Sequence, residues 1–313
     1  MKRITVIGAG NVGATVANVI AHKDLAREVV LVDIKEGVAE GKALDIWQAS
    51  SINHFNTRVV GTTNDYLKTK GSSIVVITSG MPRKPGMSRD DLVKTNAIVV
   101  KEVTEKVIKY SPEAIIIVVS NPLDAMSYVA YMVSGKDSRK VFGMAGILDT
   151  GRYRAFIAEA LDVSPNTVHA LLLGSHGDTM VPLPRYTSVS GVPLTELMNK
   201  DEIDKIVERT RQGGGELVNL MGTSAWYAPG AAAAQMVEAI VDDQKRLFPV
   251  SVYLQGEYGL KDVYVGVPVK LGANGIEQIF ELKLSAEEKL MLEQSAASVK
   301  EQIKIVEKMG IFD

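Results

Sequence analysis

One stretch decides the fold class of this chain: Gly8-Ala9-Gly10-Asn11-Val12-Gly13. It has the spacing G-x-G-x-x-G, it directly follows the apolar run Ile4–Ile7, and it opens the helical pattern Val12–His22. In such a turn the first glycine permits a tight bend, the second lets the backbone approach a pyrophosphate, and the third lets the helix pack closely on the strand. The helix N-terminus also offers free N–H groups to phosphates. The context predicts a dinucleotide-binding turn, although a structural turn without a ligand would have the same pattern.

Asp33 is the second part of this pattern. It lies at the end of the next apolar run, Val29–Ile34, and follows Gly13 by twenty residues. A carboxylate at this position can accept hydrogen bonds from the hydroxyl groups of an adenosine ribose, and it would repel a 2′-phosphate. The pattern therefore favours NAD over NADP as the cofactor.

Short apolar runs alternate with helical patterns through the first half of the chain. The runs are rich in Val and Ile at consecutive positions, which is typical of strands buried on both faces of a parallel sheet. They are Ile4–Ile7, Val29–Ile34, Arg58–Gly61, Ile74–Thr78, Ala114–Val119 and Lys140–Gly143. Helical spacing of apolar residues lies between them, at Val12–His22 and Asn96–Tyr110. This alternation predicts an α/β fold, in which residues 1–143 form a doubly wound parallel-sheet dinucleotide-binding (Rossmann) domain.

The pattern changes after Gly143. Helical patterns cover Asp149–Leu161, Glu202–Met221, Gly230–Leu247 and Ser285–Met309, and the last opens with a capping box of Ser285 and Glu288. Strand patterns cover Thr167–Leu173, Ser251–Tyr258 and Val263–Leu271, the last two as a half-exposed antiparallel pair. This mixture predicts that residues 144–313 form an α+β catalytic domain.

Composition excludes several classes of function. The 313 residues are 46% hydrophobic and 23% charged, as in ordinary globular proteins, and a net charge of −2 gives no basic field for nucleic acid or anionic lipid. Because the chain has no cysteine, disulfides, thiolate metal sites and cysteine nucleophiles are excluded, and we expect no metal. Imidazole chemistry must use His22, His54, His169 or His176. His22 and His54 are expected at the surface, and His169, inside an apolar strand, is expected to be structural.

No targeting or membrane segment is expected. The opening residues MKRITVIGAG place two basic residues before an apolar run, but that run is too short for a signal peptide and fits a first strand better. No run approaches the roughly 18 apolar residues of a membrane span. We therefore expect a soluble cytoplasmic protein that binds neither membrane nor nucleic acid.

The loop Ser79–Asp90 is a candidate for ligand binding. It leaves the carboxyl end of the fourth predicted strand, where ligands bind in such sheets, and it carries Arg83, Lys84 and Arg89. Its glycines and prolines indicate an irregular segment that can act as a lid. A solvated charged loop is the alternative.

Three polar residues of the second half are further candidates. Asp149 and Arg152 are three apart at the start of a predicted helix, so they share a face, which an ion pair alone would also explain. His176 lies in GSHGD at residues 174–178, where flanking glycines leave its ring free to meet a ligand. A hydrogen-bonded turn histidine is the alternative.

These segments follow one another along nearly the whole chain. The order is GAGNVG at 8–13, VDI at 32–34, SGMPRKPGMSRDDLVKTN at 79–96, VVSNP at 118–122, GILDTGRYR at 146–154 and GSHGD at 174–178. In this combination the sequence resembles the lactate/malate dehydrogenase family, in particular its malate dehydrogenases of the lactate-dehydrogenase-like type. The resemblance implies NAD-dependent oxidation of (S)-malate to oxaloacetate, a step of the tricarboxylic acid cycle.

The resemblance also implies a role for each matching residue. His176 matches the family's catalytic proton acceptor, and Asp149 matches the carboxylate that orients it. Arg152 matches the arginine that holds the substrate's C1 carboxylate, and Arg89 matches the lid arginine that polarises the reacting carbonyl group. These residue types suit the chemistry, because a base with a pKa near neutrality serves both directions and an arginine binds a carboxylate through two parallel hydrogen bonds.

Further residues are implied at the cofactor. Asn121 matches a residue at the junction of nicotinamide and substrate, Ser120 and Val119 lie beside it in the cofactor site, and Asn96 matches another cofactor contact. The segment Gly222–Ala225 covers the region where the family often has a small residue on the substrate side.

Arg83 bears on the choice of substrate. It occupies the lid position where lactate-specific relatives typically carry glutamine. Over a dicarboxylate it can pair with the second carboxylate, whereas over pyruvate an enclosed unpaired guanidinium costs on the order of 3–5 kcal/mol. Malate and oxaloacetate are therefore favoured. L-lactate or another 2-hydroxy acid is the alternative substrate, and a redox-sensing NAD-binding protein is the non-catalytic alternative.

The resemblance finally implies a homodimer or homotetramer. Ile46–Ala49, with Trp47, is a candidate contact segment on a helix of the cofactor domain. The alternative is that Trp47 lies in the core of its own chain.

Overall fold

Strands and helices alternate through the first half of the chain, as predicted. The structure is a computed structural model and describes residues 2–82, 86 and 88–312. The strands are β1 (Arg3–Ile7), β2 (Glu28–Asp33), β3 (Arg58–Thr63), β4 (Ile74–Ile77), β5 (Ile115–Val118) and β6 (Val141–Gly143). The helices are α1 (Asn11–His22), α2 (Val38–Gln48), α3 (Ser50–Asn53), α4 (Arg89–Tyr110) and α5 (Leu123–Ser134).

The second half mixes long helices with short and long strands. The helices are α6 (Gly146–Leu161), α7 (Leu194–Leu197), α8 (Lys200–Met221), α9 (Tyr227–Val241) and α10 (Ala286–Glu307). The short strands are β7 (Val168–His169), β8 (Leu172–Leu173), β9 (Val181–Pro182), β10 (Ser188–Val189) and β11 (Val192–Pro193). The long strands are β12 (Arg246–Gln255), β13 (Lys261–Gly272) and β14 (Gly275–Ile279).

The first six strands form a parallel sheet. Their order is β3-β2-β1-β4-β5-β6. Every residue of Ile74–Ile77 is buried, because helices cover both faces of the sheet. The strand order reverses between β1 and β4, so a crevice opens beyond their carboxyl ends. The predicted fold class, with its doubly wound parallel sheet, is confirmed.

The sheet continues into the second half of the chain. β12 is antiparallel to β6 through Ser251 and Gly143, and β13 and β14 follow antiparallel, so that nine strands form one sheet within the described residues. The predicted division between residues 143 and 144 therefore lies beside a shared sheet, and it stays a prediction.

Helices of the second half of the chain pack against one another and against the first half. α8 packs on α6, and α9 packs on α1 so closely that a Cβ on Gly230 would lie 2.5 Å from Thr15. The capping box at the start of α10 is confirmed, since Ser285 Oγ accepts from Glu288 N and Glu288 Oε2 accepts from Ser285 N. Among the described residues, no helix is both long and apolar enough to cross a membrane.

Four local predictions were wrong. The strands β12 and β13, predicted to be a half-exposed pair, are buried at residues 248–252 and 263–269, because helices α5, α6, α9 and α10 pack against them. The helix predicted to reach Leu247 ends at Val241, because Asp243 and Lys245 adopt left-handed backbone angles and Arg246 already begins β12. The strand predicted over 167–173 is two short strands, β7 and β8. His169 is exposed rather than structural, because side chains alternate along a strand and Val168 takes the buried side of β7.

Candidate active site

The Gly-rich turn joins β1 to α1 at the crevice. Gly8 has a φ of +101°, and a Cβ there would lie 2.7 Å from Thr78 Oγ1. A Cβ on Gly13 would lie 1.8 Å from the carbonyl oxygen of Gly8. A Cβ on Gly10, in contrast, would meet no atom within 4 Å. Packing of the chain itself thus explains Gly8 and Gly13, whereas Gly10 keeps open space beside the start of α1.

Polar contacts hold the turn in place. Asp33, at the end of β2, accepts hydrogen bonds from Ala9 N at 2.6 Å and from Lys35 N at 2.9 Å. Lys42 on α2 donates to the carbonyl oxygen of Ala9 at 2.8 Å. Gly10 is the N-cap of α1 and no side chain caps this helix, so the positive end of α1 faces the same open space. Asn11 and Val12 form its first turn.

Asp149, Arg152 and His176 come together at α6. His176 Nδ1 lies 2.9 Å from Asp149 Oδ2, and Arg152 Nη1 donates to Asp149 Oδ1 at 3.3 Å. A single carboxylate, 2% exposed, thus holds both the imidazole and the guanidinium. With Nδ1 donating to Asp149, the nitrogen left to accept a proton from a ligand is Nε2.

The surroundings raise the pKa of His176 above its ordinary value. The negative charge of Asp149 is the main cause, while burial and the positive charge of Arg152 act in the opposite direction. His176 therefore stays protonated to a higher pH than a free histidine.

A cavity of about 360 Å³ is lined by two of these residues, Arg152 and His176. Predicted residues from four segments line it. Val12 comes from the Gly-rich turn, Val119 and Asn121 from the segment between β5 and α5, Arg152 from α6, and His176 from residues 174–180 between β8 and β9, which we call the histidine loop. Gly214 and Gly215 of α8 form part of the facing wall, and a Cβ on Gly213 would lie 3.3 Å from the side chain of Arg152. The run of small residues on α8 therefore lets this helix approach Arg152 closely.

Asn96 lies behind the cavity and connects two loops. It is 1% exposed; its Oδ1 accepts from Met81 N at 2.7 Å, and its Nδ2 donates to the carbonyl oxygen of Asn121 at 2.7 Å. Ser120 is also turned inward and donates to the carbonyl oxygen of Ser79. Both residues support the loops that border the cavity, and a direct contact of either with a cofactor stays a prediction.

The predicted lid arginines differ in what can be described. Arg89 begins α4, and its Nη2 lies 4.0 Å from Oδ2 of Asp178, which lines the cavity. Both side chains are exposed, so this contact contributes little stability, but it places Arg89 at the rim of the cavity. Arg83 lies outside the described residues.

The cavity also contains residues that sequence reasoning missed. Arg211 and the run Gly213–Gly215 line or border it from α8. Ser224 and Ala225, in contrast, line it from the segment Gly222–Ala225 that the resemblance had indicated. The three glycines carried a usable signal, because each glycine inside a helix costs about 1 kcal/mol relative to alanine and needs a packing reason. Asp124, buried next to His176, carried no such signal.

Comparisons with known proteins agree along the whole chain. Residues 2–143 match the NAD binding domain of lactate/malate dehydrogenase, and residues 147–309 match its alpha/beta C-terminal domain. A malate dehydrogenase of Cytophaga hutchinsonii is 62% identical over 97% of this chain and 98% of its own. Two solved structures superimpose on this chain with a TM-score of 0.94, and 98% of either chain is covered in both cases. One is the malate dehydrogenase of Salinibacter ruber, at 55% sequence identity. The other is a Cryptosporidium parvum lactate dehydrogenase complexed with lactic acid and NAD, at 40% identity. The chain belongs to the lactate/malate dehydrogenase family.

Proposed function

We propose that this chain catalyses the NAD-dependent oxidation of (S)-malate to oxaloacetate and the reverse reaction. The observation that carries the proposal is the position of Asp149, whose two carboxylate oxygens hold His176 and Arg152 side by side at one cavity. A 2-hydroxy acid needs a base for its hydroxyl proton and a cation for its carboxylate, and this pair supplies both. Relatives that share 52% to 62% identity are malate dehydrogenases, which favours malate over other 2-hydroxy acids.

The Gly-rich turn fits the pyrophosphate of NAD. Open space beside Gly10 and the uncapped start of α1 leave room and N–H groups for an anion. Each carboxylate oxygen of Asp33 accepts one hydrogen bond from a backbone amide, so each has a further lone pair that can accept a hydrogen bond from a ribose hydroxyl group. Bound there, NAD supplies the acceptor for the hydride from C2 of malate. We assign cofactor contacts to Gly8, Ala9, Gly10, Asn11, Val12, Gly13, Asp33, Asn96, Val119, Ser120 and Asn121.

The proton and the substrate carboxylate are handled by the chain itself. His176 Nε2 accepts the hydroxyl proton, while Asp149 fixes the ring through Nδ1 and stabilises the imidazolium. Arg152 binds the C1 carboxylate, and Asp149 holds its guanidinium in place. Arg89, at the rim, stabilises negative charge on the reacting oxygen, and Asn121 contacts the substrate beside the nicotinamide.

Selection of the dicarboxylate is assigned to Arg83. The fold does not separate malate from lactate, since a lactate dehydrogenase superimposes as well as a malate dehydrogenase does. Arg83 can pair with the second carboxylate of malate, and it would be left unpaired over lactate. L-lactate dehydrogenase activity is the second candidate function.

Initial rates with NADH test this assignment. We expect turnover of oxaloacetate to exceed that of pyruvate by a wide margin, and His176→Asn protein serves as the inactive control. Equal rates with both acids would contradict the choice of malate, and rates no higher than the control would contradict the enzyme proposal.

A homodimer or homotetramer is also proposed. Leu44, Trp47 and Ile52 on α2 and α3 are 45% to 75% exposed, so Trp47 does not lie in the core of its own chain. A groove of about 700 Å³ between α1, α6, α8 and α9 leaves further apolar surface open, with Leu220 76% exposed at its edge. We expect light scattering to give a molecular mass that is a multiple of the chain mass of 33.8 kDa. The Trp47→Glu variant should have a lower molecular mass than the wild type. A wild-type mass near 33.8 kDa at micromolar concentration would refute the oligomer.

A cellular context is proposed as well. We propose that the protein acts in the cytoplasm and catalyses the malate step of the tricarboxylic acid cycle. Fractionation of cells tests the location: malate-dependent NADH formation should be recovered with cytoplasmic markers, and recovery elsewhere would contradict it.

A further inference from the structure

Asp124 is a buried carboxylate with no role in the reaction described so far. It lies in the first turn of α5 and is 3% exposed. Its Oδ2 accepts a hydrogen bond from the main-chain N of His176 at 3.2 Å, and its Oδ1 accepts one from Ser251 Oγ of β12 at 2.6 Å. One side chain thus connects α5, the histidine loop and the central sheet.

The histidine loop needs such a connection. Gly174 and Gly177 flank the histidine with φ of +87° and +125°, and glycine at these angles leaves the free loop many conformations. Asp149 fixes only the end of the His176 side chain, through Nδ1. The ring has one position only if the main chain that carries it is also held, and Asp124 holds it at the amide of the same residue.

The surroundings of the Asp124 carboxyl group are the second observation. Burial raises its pKa above the ordinary value, and hydrogen bonds from Ser251, from Ser175 and from His176 N offset only part of that effect. These donors stabilise the ionised form, which the group adopts above its raised pKa. An ionised Asp124 in turn raises the pKa of His176, in addition to the larger effect of Asp149 and against the effect of Arg152.

We propose that Asp124 is a positioning residue of the reaction: it anchors the main chain of His176 and supplies a second buried negative charge that favours the imidazolium. Asp149 acts on the His176 ring from α6, and Asp124 acts on the His176 main chain from α5. The inference rests on the proposed function, because it assigns Asp124 to the same proton transfer.

The test compares Asp124→Asn with Ser295→Ala. Asparagine keeps the shape and an acceptor oxygen but removes the charge. Ser295 Oγ accepts a hydrogen bond from Ser175 N at 2.7 Å, one residue before His176. Ser295→Ala removes this hydrogen bond to the histidine loop without a change of charge, so it serves as the matched control. The readouts are the titration of the His176 ring, followed by NMR of protein with ¹³C-labelled histidine, and the pH profile of malate oxidation.

We expect Asp124→Asn to lower the pKa of His176 by roughly half a unit to one unit and to move the rising limb of malate oxidation to lower pH by the same amount. Ser295→Ala should lower turnover without moving the titration. Equal titration curves for wild type and Asp124→Asn would overturn the proposal, and so would an equal shift in Ser295→Ala.

Asp124→Ser keeps the test decisive if Asp124→Asn does not fold. It removes the same negative charge with a smaller side chain and should lower the pKa of His176 by a similar amount. No shift would overturn the proposal. The titration needs no substrate, so inactivity of the wild type with malate would refute the proposed function and leave this result standing.

Discussion

Replacement of Asp149 by asparagine tests the proposed proton transfer most directly. Asp149 is 2% exposed and bonds both His176 Nδ1 and Arg152 Nη1, so the variant removes the charge between the base and the substrate-binding cation while it keeps the side-chain volume. Oxidation of malate requires neutral His176, and reduction of oxaloacetate requires the protonated form. Because Asp149 raises the pKa of His176, its loss should lower that pKa.

The geometry sets the size of the effect. A carboxylate in direct contact shifts a pKa by about 1–3 units, so the rising limb of malate oxidation and the falling limb of oxaloacetate reduction should both move to lower pH by that amount. A hydrogen bond to a charged group contributes about 1.5–3 kcal/mol, which corresponds to a loss of roughly 10- to 150-fold in turnover.

The assay measures two pH–rate profiles, one for malate oxidation and one for oxaloacetate reduction, on each of three proteins: wild type, Asp149→Asn and Asp162→Asn. Asp162 is an exposed residue at the other end of α6 with a left-handed φ of +52°, which asparagine tolerates, so this variant controls for the loss of one negative charge. Limbs that stay at the wild-type pH in Asp149→Asn would refute the assigned role of Asp149. A shift of equal size in Asp162→Asn would show that the net charge, and not the contact, is responsible.

Three further predictions concern the base, the substrate and the cofactor. His176→Asn should lower turnover in both directions by roughly 10²- to 10⁴-fold and leave the NADH dissociation constant nearly unchanged in a fluorescence titration, and near-normal turnover would exclude His176 as the base. Arg83→Gln should change the ratio of kcat/KM for oxaloacetate to that for pyruvate by roughly a hundredfold or more in favour of pyruvate, and an unchanged ratio would remove Arg83 from substrate selection. Asp33→Ser combined with Ile34→Arg, at a position that is 81% exposed, should raise kcat/KM for NADP relative to NAD, whereas equal use of both cofactors by the wild type would contradict the ribose assignment.

Most of the fold could be predicted from local sequence patterns. Consecutive Val and Ile residues indicate strands covered on both faces, and such strands need helices between them, so the parallel sheet could be predicted from periodicity alone. The ends of helices could not be predicted in the same way. The end of α9 depends on the left-handed backbone angles of Asp243 and Lys245, and on the pairing of Arg246 with Leu271 in the sheet. An apolar run by itself does not say where a helix stops and a paired strand begins.

For the site, the sequence alone determined the residue types and the Gly-rich turn, because the spacing of Gly8, Gly10 and Gly13 answers a local steric need. Only the tertiary structure decided which groups touch: Asp149 meets His176 across 27 residues of chain, and Asp124 meets Ser251 across 127. Those contacts depend on how α5, α6 and β12 pack, and a buried carboxylate has the same letter in the sequence as an exposed one. Packing therefore turns separate polar residues into one proton-transfer site.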